Sequence, residues 1–245
     1  MKPPRYLLRE AVVKRLVLKL GAARVLELGF GRGDMLLTLA ECGLHGVGYD
    51  PSADARAHTQ QRLDAAGITC FVLSETYPDE DLFDAILFFE VIGYADDPIA
   101  WLAGHRKILK SSGQLIFSFT NDRHQGIAEK ATGQMRCFNK SEMHSILNEA
   151  GYRVDQMINY GFPLANLLRW VRALIYRGQP EISNQHSLVR KQVDRSGFVE
   201  PSGWVKLGTA VFNTGFMRPF VWIQSWFSTT SAGTGFVVLA SPKGE

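Results

Sequence analysis

Residues 25–34 read VLELGFGRGD, and the fold turns on what these positions do. Three glycines, Gly29, Gly31 and Gly33, stand at alternate positions behind an apolar run that carries one acid, Glu27. The pattern predicts a short buried strand, a loop whose backbone is bare, and a helix opening near Asp34. Such a loop lies at the carboxyl end of its strand, where open α/β sheets bind ligands.

Outward from the loop, the chain alternates between two periodicities. Leu7, Leu8, Ala11, Val12, Leu16 and Leu18 recur at roughly helical spacing, and Gly21 is a plausible stop. Short apolar runs predict strands over 24–28, 46–49, 68–73, 83–89, 113–119 and 153–160. Helices are expected between them at about 34–42, 52–66, 97–110 and 140–150. Asn139 followed by Glu142 fits a capping box, which fixes the start of the last of these helices. Near-continuous apolar strands separated by helices imply a doubly wound α/β fold with a mostly parallel sheet covered on both faces.

Composition bounds the rest. At 245 residues and 46% hydrophobic content, the chain can bury one sizeable core, so a single domain over 1–245 is expected. A formal charge of +3 falls short of the clustered Lys and Arg of a dedicated nucleic-acid binder. Cys42, Cys70 and Cys137 are widely spaced and the six histidines are scattered. Neither a disulfide framework nor a metal site is expected, and a reduced, cytoplasmic setting fits. Charges at intervals through the first twenty-one residues break any signal-peptide core and any spanning segment, so the chain is expected to be soluble.

The glycine spacing argues about the ligand. A dinucleotide fingerprint needs a third glycine three positions after the second. Counting from Gly29 and Gly31, that position is Asp34, whose carboxylate would repel a pyrophosphate. Acids at both edges of the bare loop suit a nucleoside with positive charge instead. Asp50 ends the second strand in GVGYDPS, placed to accept from two vicinal ribose hydroxyls, at about 1.5–3 kcal/mol for each bond to a charged group. Packing alone could also explain the glycines, and Asp50 with Pro51 could simply cap the next helix.

Five stretches in order, VLELGFGRGDML, GVGYDPSADA, FDAILFFEVIGYADDP, ILKSSGQLIFSFTN and CFNKSEMHSILNEAGYRV, make the chain resemble the class I S-adenosylmethionine-dependent methyltransferases. The likeness runs from about residue 20 to 160 and is greatest to the small-molecule branch with the ubiquinone-biosynthesis-type enzymes. It implies a Rossmann-like, seven-stranded sheet whose last strand, GTGFVVLAS, runs antiparallel, and S-adenosyl-L-methionine as cofactor. It further implies that Glu27 and the loop of Gly29, Phe30, Gly31 and Gly33 surround the methionine part and Asp50 the ribose. Ser74 and Glu75 would border the adenine, with Phe89 and Glu90 beside the cofactor.

Departures from the family pattern bear on catalysis. EVIGYA stands where relatives often carry EVLEHV, so Tyr94 occupies the usual histidine position, and LKPGG has become LKSSG. Methyl transfer from a sulfonium is an in-line displacement that needs positioning first, and a base only for a hydroxyl or protonated amine acceptor. Tyr94 and His124 are the two candidates for base or orienter, against plain packing for Tyr94 and a solvated loop for His124.

Residues 161–233 read as a helical lid inserted before the last strand. Pro163 to Arg177 forms an amphipathic helix, with Leu164, Leu167, Leu168, Val171, Leu174 and Ile175 on one face and Arg169, Arg172, Tyr176 and Arg177 toward the other. A second helix is expected after Pro219. The segment either covers the sheet or makes a pocket for an apolar or lipid-linked acceptor, with peripheral membrane contact through the 163–177 helix left open. The aromatic lid argues against nucleic acid and for a small or lipid-like acceptor; methylation at oxygen is favoured over nitrogen or carbon, though no residue identifies the attacked atom. Two other readings stand beside this one: a cofactor-binding partner subunit that has lost catalysis, and a NAD-dependent oxidoreductase, which the glycine spacing disfavours.

Overall fold

A computed structural model of the protein describes residues 2–21, 23–79, 82–124, 136–176 and 214–244. Its first helix, α1 (Pro4–Val17), leads into β1 (Arg24–Leu28). That strand pairs in parallel with β2 (His45–Tyr49) on one side and with β4 (Phe83–Phe89) on the other. β3 (Phe71–Ser74) lies outside β2, and β5 (Leu109–Thr120) lies beyond β4. The last strand, β7 (Gly235–Pro242), enters antiparallel between β5 and β6 (Tyr152–Tyr160), giving the order β3-β2-β1-β4-β5-β7-β6. The winding reverses between β1 and β4, so the crevice outside their carboxyl ends is the expected ligand position in a sheet of this kind.

Side-chain alternation decides what faces that crevice. Val25 of β1 packs with Val12, Val13 and Leu16 of α1, while Leu26 and Leu28 pack into the opposite layer with Phe117 and Met143. Two positions on from Val25, Glu27 therefore lies on the α1 side. Ala85 and Leu87 of β4 share the α1 side too, which carries Phe89 there. One helix thus roofs the ends of both central strands.

The remaining helices explain themselves locally. α2 (Asp34–Glu41) starts at Gly33, whose left-handed φ of 70° turns the chain out of the loop. α3 (Ala53–Ala65) is capped by Ser52, which accepts from the Ala55 amide. α5 (Lys140–Glu149) begins where its capping signal places it, with Asn139 accepting from the Glu142 amide at 2.8 Å. The Glu142 carboxylate reaches to Arg136 at 2.9 Å.

Several boundaries differ from the sequence expectation, among them that of β5, which starts at Leu109 and not at residue 113. The third strand starts at Phe71, not at residue 68. The helix expected over 97–110 is α4 (Pro98–Gly104) followed by a 3-10 turn over His105–Ile108. The cause is that Leu109 already pairs with Phe83 in the sheet, so the chain must tighten before it. Within the 161–233 segment, α6 (Leu164–Tyr176) follows Pro163 as expected, but α7 (Thr214–Ser225) begins upstream of Pro219 and contains it. Met217, buried with Leu8, Leu164 and Ala165, requires helical backbone ahead of the proline.

The buried stripe of α6 is also rotated from the expected one. Leu164 and Ala165 are buried, whereas Leu167 and Val171 are 56% and 40% exposed, beside an exposed Trp170. Gln224 of α7 ties the segment down from a buried position, donating to the Leu8 carbonyl and accepting from the Gly161 amide, both at 3.0 Å. The side chains of Arg172, Leu174, Ile175 and Tyr176, and all of Arg177, lie outside the described residues.

Candidate functional site

The loop after β1 is held by its own backbone. Gly29, Gly31 and Gly33 all adopt positive φ, at 68°, 54° and 70°, where only glycine is free of strain. The Gly29 amide donates to the Tyr49 carbonyl at 2.8 Å, and Thr59 Oγ1 donates to the Gly31 carbonyl at 3.0 Å. A Cβ on Gly29 would meet Val91 at 2.8 Å and one on Gly33 would run into Thr59, but one on Gly31 would meet nothing within 4 Å. Two glycines serve close packing, and the middle one faces open space.

Beside the loop, a cavity of about 330 Å³ lies between α1 and the ends of β1 and β4, lined by Tyr6, Arg9, Glu27, Gly29, Arg32 and Phe89 among others. Four buried polar atoms in its wall lack a hydrogen-bond partner: Tyr6 Oη, Arg9 Nε, Glu27 Oε2 and Arg32 Nε. Buried polar atoms are rarely left unpaired, and four around one cavity mark a place built for a polar guest. They carry both signs. Burial pushes the Glu27 carboxyl up to about 8, with the Arg9 guanidinium pulling it down and Asp50 pushing it further up. Burial likewise raises the Tyr6 phenol, so it stays a proton donor.

Arg9 is positioned from three sides. Its guanidinium lies 5.1 Å from the centroids of both the Tyr6 and Phe89 rings, and Nη1 is 3.5 Å from Glu90 Oε1. Glu90, in turn, gathers the molecule. It follows β4 with a left-handed φ of 64°, a costly conformation for a residue with a side chain. The surroundings over-determine it: Arg5 pairs with it at 3.2 Å, Tyr160 Oη donates at 2.6 Å, Ser118 Oγ at 3.0 Å, and Thr120 Oγ1 donates as well. Burial alone would raise its carboxyl, but Arg5 and Arg9 with the donated hydrogen bonds hold it down at about 2. Glu90 is therefore a fixed anion that fastens α1 over the crevice.

A profile of the methyltransferase domain matches residues 5–157, well over half of the chain. The chain belongs to the methyltransferase domain family. The match begins within α1 and ends in β6, so it takes in the helix that roofs the crevice. The ubiquinone biosynthesis O-methyltransferase of Bradyrhizobium diazoefficiens is 30% identical over 118 residues, 46% of this chain and 46% of that protein. The chain thus spans about half the length of the curated relatives it matches. A SAM-dependent methyltransferase from Geobacter sulfurreducens, solved with S-adenosyl-L-homocysteine, covers 96% of this chain and 91% of its own at 17% identity and a TM-score of 0.55. The [4+2]-cyclase SpnF covers 96% of this chain and 81% of its own at 17% identity and a TM-score of 0.60. At such identities the likeness is one of fold.

In this methyltransferase domain the cavity brings together Glu27, Gly29, Phe30 and Phe89 of the residues read from sequence. Asp50 sits next to them, buried, with its two oxygens accepting from the Gly31 and Ser52 amides at 2.9 Å each. Each oxygen keeps a second lone pair, so Asp50 holds the loop and retains acceptor capacity toward it. Ser74 folds its hydroxyl back on Thr76, while the exposed Glu75 pairs with Arg56 at 3.4 Å. Tyr94 ends a 3-10 turn over Ile92–Tyr94 and is 47% exposed. Burial and the nearby Glu90 carboxylate raise its phenol, the wrong direction for a base. The His124 side chain lies outside the described residues.

Sequence reasoning missed Tyr6, Arg9 and Arg32. The one available signal was Arg5 and Arg9, four apart on a helix otherwise read only for its apolar face. No group of three or more metal-ligating side chains occurs among the described residues. No helix among them is long and apolar enough to cross a membrane.

Proposed function

We propose that this methyltransferase domain holds S-adenosyl-L-methionine across the glycine loop and transfers its methyl group to a small or lipid-like acceptor at an oxygen atom. The observation that carries the reading is the set of four orphaned polar atoms around the cavity that Gly29 lines. A cation and an anion on one small end group would satisfy them together. Glu27 fits the ammonium, Arg9 and Arg32 fit the carboxylate, and Tyr6 supplies a further donor. Gly29 lines the cavity without a side chain and lets the backbone approach, and Asp50 is placed for the ribose hydroxyls. Ser74 and Glu75 border the adenine in this reading, with Phe89 and Glu90 along the cofactor's side.

When bound, the cofactor supplies a methyl group on a positively charged sulfur. The chain's part is chiefly orientation, which can recover roughly 7–11 kcal/mol of a barrier. Tyr94 and His124 remain the candidates for orienting the acceptor. Oxygen as the attacked atom is supported by the names of the curated relatives. Residues 1–245 are read as one domain with 161–233 as its helical insertion. Exposed Leu167, Trp170 and Val171 on α6 support an apolar acceptor side and peripheral membrane contact there.

The test is calorimetric titration with S-adenosyl-L-homocysteine, then mass spectrometry of metabolite and lipid extracts incubated with a deuterated-methyl donor. Micromolar binding and a product heavier by one deuterated methyl are expected. Binding without transfer to any acceptor would favour a partner subunit, and no binding would reject the reading.

A further inference from the structure

A second groove lies between α1 and α7, away from the glycine loop. It has a volume of about 310 Å³, and its walls include Val12 and Arg15 of α1, Ile158 of β6, and Arg218, Val221 and Trp222 of α7. No carboxylate lines it. Neither Arg15 nor Arg218 has a hydrogen-bond or ion-pair partner among the described residues, so two cations share one groove unneutralised. At the rim, Trp222 and Trp226 are 60% and 62% exposed and stand edge to face with centroids 4.4 Å apart.

The chain around the groove is biased in the same direction. From residue 201 to 244, the stretch that contains α7, the sequence has no Asp or Glu. A groove with two cations, no carboxylate in its lining and exposed indoles at its rim is costly to show to water without a purpose. It matches a polar interface where negative charge overlies hydrocarbon, since indole rings settle at that depth and arginines meet phosphates.

We propose that the α1–α7 groove receives the phosphate of an anionic phospholipid, with Arg15 and Arg218 as its cationic walls and Trp222 and Trp226 entering the bilayer interface. The site is separate from the cofactor cavity and does not depend on the methyl-transfer reading. It also differs from the exposed Leu167, Trp170 and Val171 face, which belongs to α6.

The experiment is co-sedimentation of the full chain with vesicles of phosphatidylcholine, with and without one-third phosphatidylglycerol, while tryptophan emission is followed. Binding to the anionic vesicles only, with a blue shift, is expected. At about 1 kcal/mol for each basic residue near the surface, Arg15→Gln with Arg218→Gln weakens binding about thirtyfold. Trp222→Ser with Trp226→Ser abolishes the blue shift, and both double variants keep the parent Tm because all four side chains lie at the surface. Equal binding to neutral vesicles, or loss on Leu167→Ser with Trp170→Ser but not on the arginine changes, overturns the assignment. Titration with inorganic phosphate separates the remaining source: phosphate binding that needs both arginines, without vesicle binding, would make this a soluble-anion site and overturn the lipid proposal.

Discussion

Arg9 Nη1 lies 3.5 Å from Glu90 Oε1, which ties a helix that precedes the sheet to the left-handed residue that ends its fourth strand. Through this pair α1 becomes the roof of the cavity beside the glycine loop, with Arg9 Nε still unpartnered. The same side chain lines the cavity and fastens the helix.

Glu90→Gln tests the fastening. The substitution keeps the shape but removes the anion that Arg5 and Arg9 pair with, at a cost of about 2 kcal/mol, the scale of one hydrogen bond to a charged group. For a chain of this size the melting temperature should fall by about 4–8 °C. The sign with pH follows from a folded carboxyl held at about 2. The parent's advantage is complete above the ordinary glutamate value of about 4.3 and fades as pH falls toward 2. Thermal unfolding of both proteins between pH 7 and pH 3 should show the two curves converging in acid.

Arg9→Ala tests the guest. Charge-assisted bonds of about 1.5–3 kcal/mol convert to roughly a 10- to 150-fold loss of affinity for S-adenosyl-L-homocysteine. Arg9→Lys keeps the charge but not the planar fork, and should recover only part of it. Titration calorimetry reads both variants, and unchanged affinity in Arg9→Ala would remove this residue from the site.

Glu27 predicts a pH dependence. With its carboxyl at about 8 in the free protein, it is mostly protonated at neutral pH, yet an ammonium partner needs it ionised. Affinity should therefore rise with pH from 6 to 7.5, with a limiting slope of about tenfold per unit, until the ligand's own amine begins to titrate near 8. Glu27→Gln should bind more weakly and show a flat profile over the same range.

The glycines separate strain from occupancy. Gly33→Ala drives a methyl into Thr59 and should lower stability most. Gly31→Ala meets no atom, so its cost is the left-handed φ alone, about 1–2 kcal/mol. Its methyl nevertheless enters the open side of the loop, so ligand affinity should fall by more than stability does. Comparing Tm with binding for each variant checks the contrast.

Tyr94→Phe should leave transfer within tenfold of the parent, because a phenol raised by burial and by Glu90 makes a poor base. Single-turnover rates with the acceptor found by mass spectrometry decide this, and a loss beyond a hundredfold would restore Tyr94 as catalytic.

The strands were legible because burial writes itself as apolar runs, and β1, β4 and β6 fall within a residue of where periodicity puts them. The loop was legible because only glycine tolerates three positive φ values in five positions. Asn139 announces its helix by chemistry that is local in the chain. What lay beyond the sequence was set by contacts between distant segments. Pro219 sits inside its helix because Met217 must pack on Leu8, and α4 stops at Gly104 because Leu109 is claimed by Phe83. Arg9, more than eighty residues from Glu90, joins the site only once α1 lies over β4. Local patterning thus determined the sheet and its bare loop, whereas the charge of the cavity was decided by which helix came to rest above it.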